Sequence, residues 1–436
     1  MKKEKINILT LGCSKNTVDS ERLINQLKAN NIEVVENSED ATSVIINTCG
    51  FIDAAKEESV NTILEAVELK KLGKLKKVYV AGCLSERYKD DLRKEIPEVD
   101  ELFGVEAYES IVKEFGGELK YELLGERAVS TPKHYAYLKI SEGCDNPCSF
   151  CAIPLMRGKH VSKSIDDLFK EASSLAKKGT KELIIIGQDT TDYGKDIYGR
   201  RNLSELLNKL SEIEGIEWIR LLYAYPSHFP DDLIETIANN PKVCKYLDMP
   251  LQHIADNVLK SMRRGITSRR TKELLHKIKE RIPGITLRTT FITGYPNETK
   301  ESFQELCDFV KEIEFDRVGV FNFSVEESTP SFILGDTVTP KEKDGRHDQL
   351  MEIQKEISHR KNQELIGKRI KVIIDDIEDE HYIARSERDA PEVDGEVIIS
   401  PEGVYLERGI FFEVDIYDCN EYDLFAKPVI KVSQSK

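Results

Sequence analysis

A chain of 436 residues, with 40% hydrophobic residues and a formal net charge of −15, is long enough for two or three domains of the usual ~100–200 residues each. Its acidity argues against broad, sequence-independent nucleic-acid binding, which wants a cationic face, and suits a basic protein partner better. No run approaches the ~18 uncharged apolar residues of a membrane span, the start from Met1 to Leu9 is too short and strand-like for a signal peptide, and a cytoplasmic protein without a disulfide scaffold is expected.

From residue 1 to about 125, apolar strand runs alternate with helical segments: INILTLGC, SERLINQLKAN, TSVIINTC, a long helix from about Asp53 to Leu69, and KKVYVAGC. That alternation predicts an open parallel α/β sheet. The charged stretch YELLGERAVSTPKHY, with Pro132, reads as a linker.

A second unit is expected over residues 130–365, where the alternation resumes with AYLKISEGC, ELIIIGQD, IEWIRLLYAYP, KYLDMPLQHI, ITLRTTFITGYP and RVGVFNFS. Six strands, the first five each leading into a helical stretch, predict a partial (β/α)6 barrel whose chemistry gathers just beyond the strand ends. A charged helix from about Pro340 to Leu365 follows. The pattern then changes to short alternating strands broken by Gly, Pro and acidic turns, a small all-β domain over 366–436.

Nine cysteines punctuate this plan. Cys144, Cys148 and Cys151 form CxxxCxxC in SEGCDNPCSFCAIP, directly after the first barrel strand. Three thiolates on one loop can hold three irons of a four-iron cluster and leave the fourth open. A structural zinc would want a fourth ligand at finger spacing, and the nearest, His160, is nine residues on. Cys13, Cys49 and Cys83 each close an apolar run, in TLGC, INTC and VAGC. Neighbouring parallel strands bring such ends into one crevice, so the three make one candidate metal site, although buried core cysteines would share the pattern. Cys244, Cys307 and Cys419 read as packing residues, and His228, His253 and Arg288 as structural. The run KKLGKLKK, Lys70 to Lys77, reads as helix-end lysines or a docking patch for an acidic partner or RNA. No HExxH, G-x-S-x-G or P-loop pattern supports a hydrolase or nucleotide triphosphatase.

CxxxCxxC after the first strand of a six-strand partial barrel resembles the radical S-adenosylmethionine superfamily, and the strand-end trio together with the terminal β-domain is similar to the methylthiotransferase family, with its OB-like TRAM module. The resemblance implies two 4Fe-4S clusters, one on Cys144, Cys148 and Cys151 and an auxiliary one on Cys13, Cys49 and Cys83, with S-adenosylmethionine serving as both methyl donor and radical source. It also implies cofactor contacts from Phe150, Gly187, Gln188, Gly294, Tyr295 and Pro296, and a flavodoxin- or ferredoxin-type electron donor. The phrases LGCSKN, CSFCAIPLMRG, LYAYP, LDMPLQH and VGVFNFSVEESTP resemble the branch that modifies the β-carbon of an aspartate in ribosomal protein uS12, more than the branch that modifies an adenosine of tRNA. A non-enzymatic alternative is an iron–sulfur electron-transfer or sensing protein.

Charge bears on the same choice. From Ile366 to Lys436 the chain has 17 acidic and 9 basic residues, a net −8, the wrong sign for gripping RNA phosphates. Residues such as Asp375, Asp376, Glu378, Asp379 and Glu380 are therefore expected to face a basic protein. The terminal domain carries none of the expected ligands, so removing the chain after Leu365 is expected to spare both clusters and impair only substrate modification.

Overall fold

A computed structural model describes residues 4–123, 125–378 and 380–429. Of the segments read above, residues 1–3, Leu124, Asp379 and 430–436 lie outside those described. The first sheet comprises β1 (Lys5–Thr10), β2 (Glu33–Val34), β3 (Ser43–Thr48), β4 (Lys77–Gly82) and β5 (Glu101–Leu102), all parallel, in the order β2-β1-β3-β4-β5. β3 lies at its centre and is buried throughout, as its unbroken SVIINT run requires of a strand covered on both faces. Helices Ser14–Ala29 and Asp53–Lys71 follow β1 and β3. Cys13, Cys49 and Cys83 thus leave the carboxyl ends of three adjacent strands, β1, β3 and β4.

The second sheet is formed by β6 (Tyr135–Lys139), then, after a two-stranded hairpin of β7 (Ser141–Glu142) and β8 (Val161–Ser162), by β9 (Glu182–Ile186), β10 (Trp218–Leu221), β11 (Val243–Asp248), β12 (Thr286–Thr293) and β13 (Arg317–Asn322). Its order is the reverse chain order, all parallel, which makes the expected six-strand partial barrel. Side chains alternate across it. Leu183 and Ile185 of β9 join the leucine- and isoleucine-rich core beneath the helices, whereas Ile184 and Ile186 turn inward to Tyr135, Tyr137, Trp218 and Tyr246. Each such fully buried aliphatic side chain contributes roughly 1.5–3 kcal/mol.

The last strands, β14 (Arg369–Glu378), β15 (His381–Ser386), β16 (Val397–Ile399), β17 (Phe411–Cys419) and β18 (Leu424–Pro428), close a small barrel in the order β14-β15-β16-β18-β17. The barrel is not peripheral. Its segment between β15 and β16 enters the large barrel at the amino ends of the strands, where Tyr246 Oη donates to Asp394 at 2.6 Å and Tyr137 Oη donates to Glu392 at 3.1 Å. Arg317 pairs with Asp389 at 2.7 Å and Arg288 with Asp394 at 3.4 Å. Ile373, Ala390 and Phe411 pack on the same inner aromatic face.

This geometry corrects the reading of Asp375 within the terminal acidity. Asp375 is bound by His134 and by Arg385, both at the seam with the large barrel, and Asp376 pairs with Arg408. Asp375 therefore serves the seam rather than a substrate, whereas Glu378 and Glu380 stay exposed, and because Arg385 and Arg408 belong to the same domain their pairings leave its net charge unchanged. The lysine run likewise finds local partners: Lys70 holds Asp100, Lys71 holds Glu68 and Glu98, and Lys77 holds Glu114.

Candidate metal and cofactor site

Both cysteine trios open into one cavity of about 470 Å³, between the carboxyl ends of the first sheet and those of the partial barrel. Gly12 is needed for the approach of Cys13 to Cys49. It has φ +87°, and a Cβ there would stand 2.6 Å from Cys49 Cβ and 3.0 Å from its Sγ, a conformation and a contact that only glycine allows. Asn16 ties the strand ends together, its Nδ2 donating to the carbonyls of Leu11 at 2.7 Å and Thr48 at 3.0 Å. The Ser59 hydroxyl accepts from the Cys49 amide at 3.0 Å.

Cys144, Cys148 and Cys151 enter from the loop after β7. The loop is pinned by Asn146, which donates to Asp189 at 2.7 Å, and by the Ser149 hydroxyl, which donates to the Ser261 carbonyl at 2.8 Å. Burial pushes the Cys83 thiol up to about 11 and the Cys144 and Cys151 thiols up to about 12, and within each trio the neighbouring cysteines add to the rise. Thiols so disposed bind metal only by giving up their protons.

The donor sets fit clusters rather than single ions. Among the described residues neither trio gathers its three sulfurs within 4.8 Å of one another, the spacing of a site for one ion. Each trio also receives a buried guanidinium. Arg264 Nη1 donates to Cys148 Sγ at 3.2 Å, and Arg157 Nε donates to Cys83 Sγ at 3.3 Å. Such donors balance thiolate and sulfide charge in a cluster. His160, the one zinc ligand considered, is engaged with Ser162 at 3.0 Å.

Of the six further residues singled out, Phe150 and Gln188 line the cavity. Gln188 donates to Glu142 at 2.6 Å, and Gly187 lies against Ser141. Gly294, Tyr295 and Pro296 stand outside the lining: Gly294 abuts the Lys343 stem, Tyr295 is buried against Phe323 and meets Ser149 at 3.0 Å, and the Pro296 carbonyl accepts from Thr337. His253 is buried and accepts the Ala255 amide, and His228 meets Ser227. Cys244 and Cys307 are buried packing residues and Cys419 is partly exposed.

Sequence reasoning missed Arg157, Arg264, Tyr225 and Lys15, all in the lining. Arg157 had a local signal, six residues after Cys151 in CAIPLMRG. Arg264, from the turn before helix Ser268–Arg281, had none; it is held by the Pro250 carbonyl at 2.6 Å and stacks 4.3 Å over the Tyr225 ring.

Comparison with known proteins agrees with this architecture. Residues 138–310 match the Radical SAM superfamily, residues 5–104 the Uncharacterized protein family UPF0004, and residues 366–429 the TRAM domain. A solved structure of the radical S-adenosylmethionine methyltransferase TsrM from Kitasatospora setae shares the fold, with a TM-score of 0.59 at 14% identity over 76% of this chain and 75% of that one. The fold and the three-cysteine loop define a radical S-adenosylmethionine protein. Far higher identity runs along the whole chain to proteins named ribosomal protein uS12 methylthiotransferase RimO: 53% in Cytophaga hutchinsonii, over 98% of both chains, and 48% in Bacteroides thetaiotaomicron, over 98% of this chain and 99% of that one. This chain belongs to the RimO methylthiotransferase family.

Proposed function

We propose that this protein inserts a methylthio group at the β-carbon of an aspartate in ribosomal protein uS12. The observation that carries the reading is full-length identity of 48–53% to relatives named for that activity. Its cofactors are two 4Fe-4S clusters and S-adenosylmethionine. Cys144, Cys148 and Cys151 would hold one cluster and Cys13, Cys49 and Cys83 the other, each trio leaving a position for a non-protein ligand. When bound, these groups supply a methyl group, a sulfur and a carbon radical able to take hydrogen from an unactivated carbon.

The chain's own residues hold, orient and exclude. Placing both trios on one partly open cavity with mainly apolar walls brings sulfur delivery and radical generation into a single space. Arg264 and Arg157 compensate thiolate charge on opposite walls. Phe150 and Gln188 are assigned to the S-adenosylmethionine wall, with Gly187 beside them, while Tyr295, between Gly294 and Pro296, supports that wall from behind through Ser149 and Phe323. The proposed units are residues 1–125 for the auxiliary cluster, 130–365 for the radical core and 366–436 for the TRAM domain.

Among the described residues no helix is long and apolar enough to cross a membrane, and a ribosomal substrate suits a cytoplasmic location. A flavodoxin- or ferredoxin-type protein is the proposed electron donor. The test is anaerobic incubation of the reconstituted protein with S-adenosylmethionine, sulfide and reductant, offering uS12 and tRNA in separate reactions. Methylthiolated aspartate in uS12 with unchanged tRNA is expected. Methylthiolated adenosine with unmodified uS12 would overturn the substrate, and neither product despite cofactor cleavage would overturn the transferase reading.

A further inference from the structure

The cavity contains a cation that the described protein leaves without a counter-charge. Lys15 lines it and is only 7% exposed. Its Nζ stands 3.0 Å from the centroid of the Tyr223 ring, and among the described residues no carboxylate lies within ion-pair distance of it. The other charged residues of the lining are committed: Arg157 to Asp19 and Glu142, Arg264 to Cys148 and the Pro250 carbonyl, Glu326 to Lys56 and Arg87.

Burying an ammonium group without an anion is costly, and an aromatic face offsets that cost only in part. The shelf beneath it is itself fixed. Tyr223 takes φ +60°, an uncommon conformation for a tyrosine, held by its amide donating to Asp248 at 3.0 Å and its carbonyl accepting from Thr190. Lys15 comes from the first sheet's side and Tyr223 from the barrel's, so the ammonium is placed where the two cysteine trios face each other. Arg264 also lacks a carboxylate but is held by a ligand sulfur and a carbonyl, so Lys15 is the immobilised cation with only a ring for a partner, a receptor for an anionic group brought by a ligand.

We propose that Lys15 receives the side-chain carboxylate of the target aspartate and so selects aspartate over its neutral isostere asparagine. The assignment rests on the uS12 reading above. In that substrate the carboxylate is bonded directly to the carbon to be modified, so holding it fixes the position of that carbon's hydrogen. A site built to hydrogen-bond a charged group rejects an analogue that lacks the charge.

The experiment pairs three proteins, wild type, Lys15→Met and Lys15→Arg, with two substrates, uS12 and uS12 carrying asparagine at the target position. Iron content and affinity for S-adenosylmethionine are measured on the same preparations. Wild type is expected to prefer aspartate strongly. Lys15→Met should lose roughly 10- to 100-fold in kcat/KM on aspartate, the worth of one hydrogen bond to a charged group, and change little on asparagine, so the preference collapses. Lys15→Arg should restore part of it, with iron content at the wild-type level in both variants. An unchanged aspartate-to-asparagine ratio in Lys15→Met overturns the assignment, as does a loss confined to S-adenosylmethionine affinity, which would give the ammonium to the cofactor's carboxylate. Wild-type protein that cleaves the cofactor but modifies neither form of uS12 would instead sink the functional reading, and Lys15's role with it.

Discussion

Arg157 joins the two halves of the site: its Nε donates to Cys83 Sγ at 3.3 Å, from a helix that belongs to the barrel, while Cys83 belongs to the first sheet. The same guanidinium binds Glu142 at 2.9 Å, Asp19 at 3.1 Å and Asn16 at 2.6 Å. Lys139, 1% exposed, also binds Asp19 and Glu142 and brings in Glu106. The interface between sheet and barrel is therefore a buried charge network that ends on the sulfur of Cys83.

A hydrogen bond to a ligand sulfur favours the more negative, reduced state of a cluster. Arg157→Met should lower the midpoint potential of the cluster on Cys13, Cys49 and Cys83 by some tens of millivolts, about what a ~1 kcal/mol change in that bond gives. The cluster on Cys144, Cys148 and Cys151 should keep its potential. Redox titration followed by electron paramagnetic resonance separates the two, and equal shifts in both would show a general loosening rather than a lost donor.

Glu182, at the amino end of β9, is fully buried between Arg220 at 2.7 Å and Arg385 at 2.8 Å. Burial pushes its carboxyl up, but Arg385 and Arg220 outweigh burial and hold it below the ordinary 4.5. With the folded value depressed, its contribution is present above about pH 4.5 and is lost as pH falls through the folded value. Glu182→Ala should cost about 3–5 kcal/mol, because it leaves the buried Arg220 without a carboxylate and Arg385 with Asp375 alone. Thermal unfolding of the metal-free protein should show a loss of stability below about pH 4.5 that Glu182→Gln reduces, and no difference in slope between the two from pH 7 to pH 5.

Truncation after Leu365 now carries a different expectation from the one the sequence suggested. Removing the small barrel would uncover Tyr135, Tyr137, Trp218 and Tyr246 and leave Arg288 and Arg317 without Asp394 and Asp389. The truncated chain should aggregate or elute as a larger species on gel filtration and lose iron. A monodisperse truncated protein with full iron content would show that the small barrel only docks.

The strands, their order and the two cysteine trios were legible because period, strand-end position and loop spacing are local properties of the sequence. Cys13, Cys49 and Cys83 meet because a parallel sheet aligns the ends of β1, β3 and β4. What the sequence hid depends on contacts between distant segments. Arg264 reaches Cys148 across 116 positions, and Lys15 finds Tyr223 only once the sheet is docked on the barrel. The terminal acidity was readable only as a count for the same reason: the count does not record that Asp375, Asp389 and Asp394 face arginines or histidine inside the molecule while Glu378 and Glu380 stay exposed.

The central claim, that one cavity holds two clusters on two separate trios, is tested most directly by iron and sulfide content after anaerobic reconstitution. Wild type should load about eight irons per chain, and replacing either Cys13, Cys49 and Cys83 or Cys144, Cys148 and Cys151 by Ala should leave about four. Only the second replacement should abolish cleavage of S-adenosylmethionine. A Cys13, Cys49 and Cys83 triple variant that kept the full iron content would contradict the account.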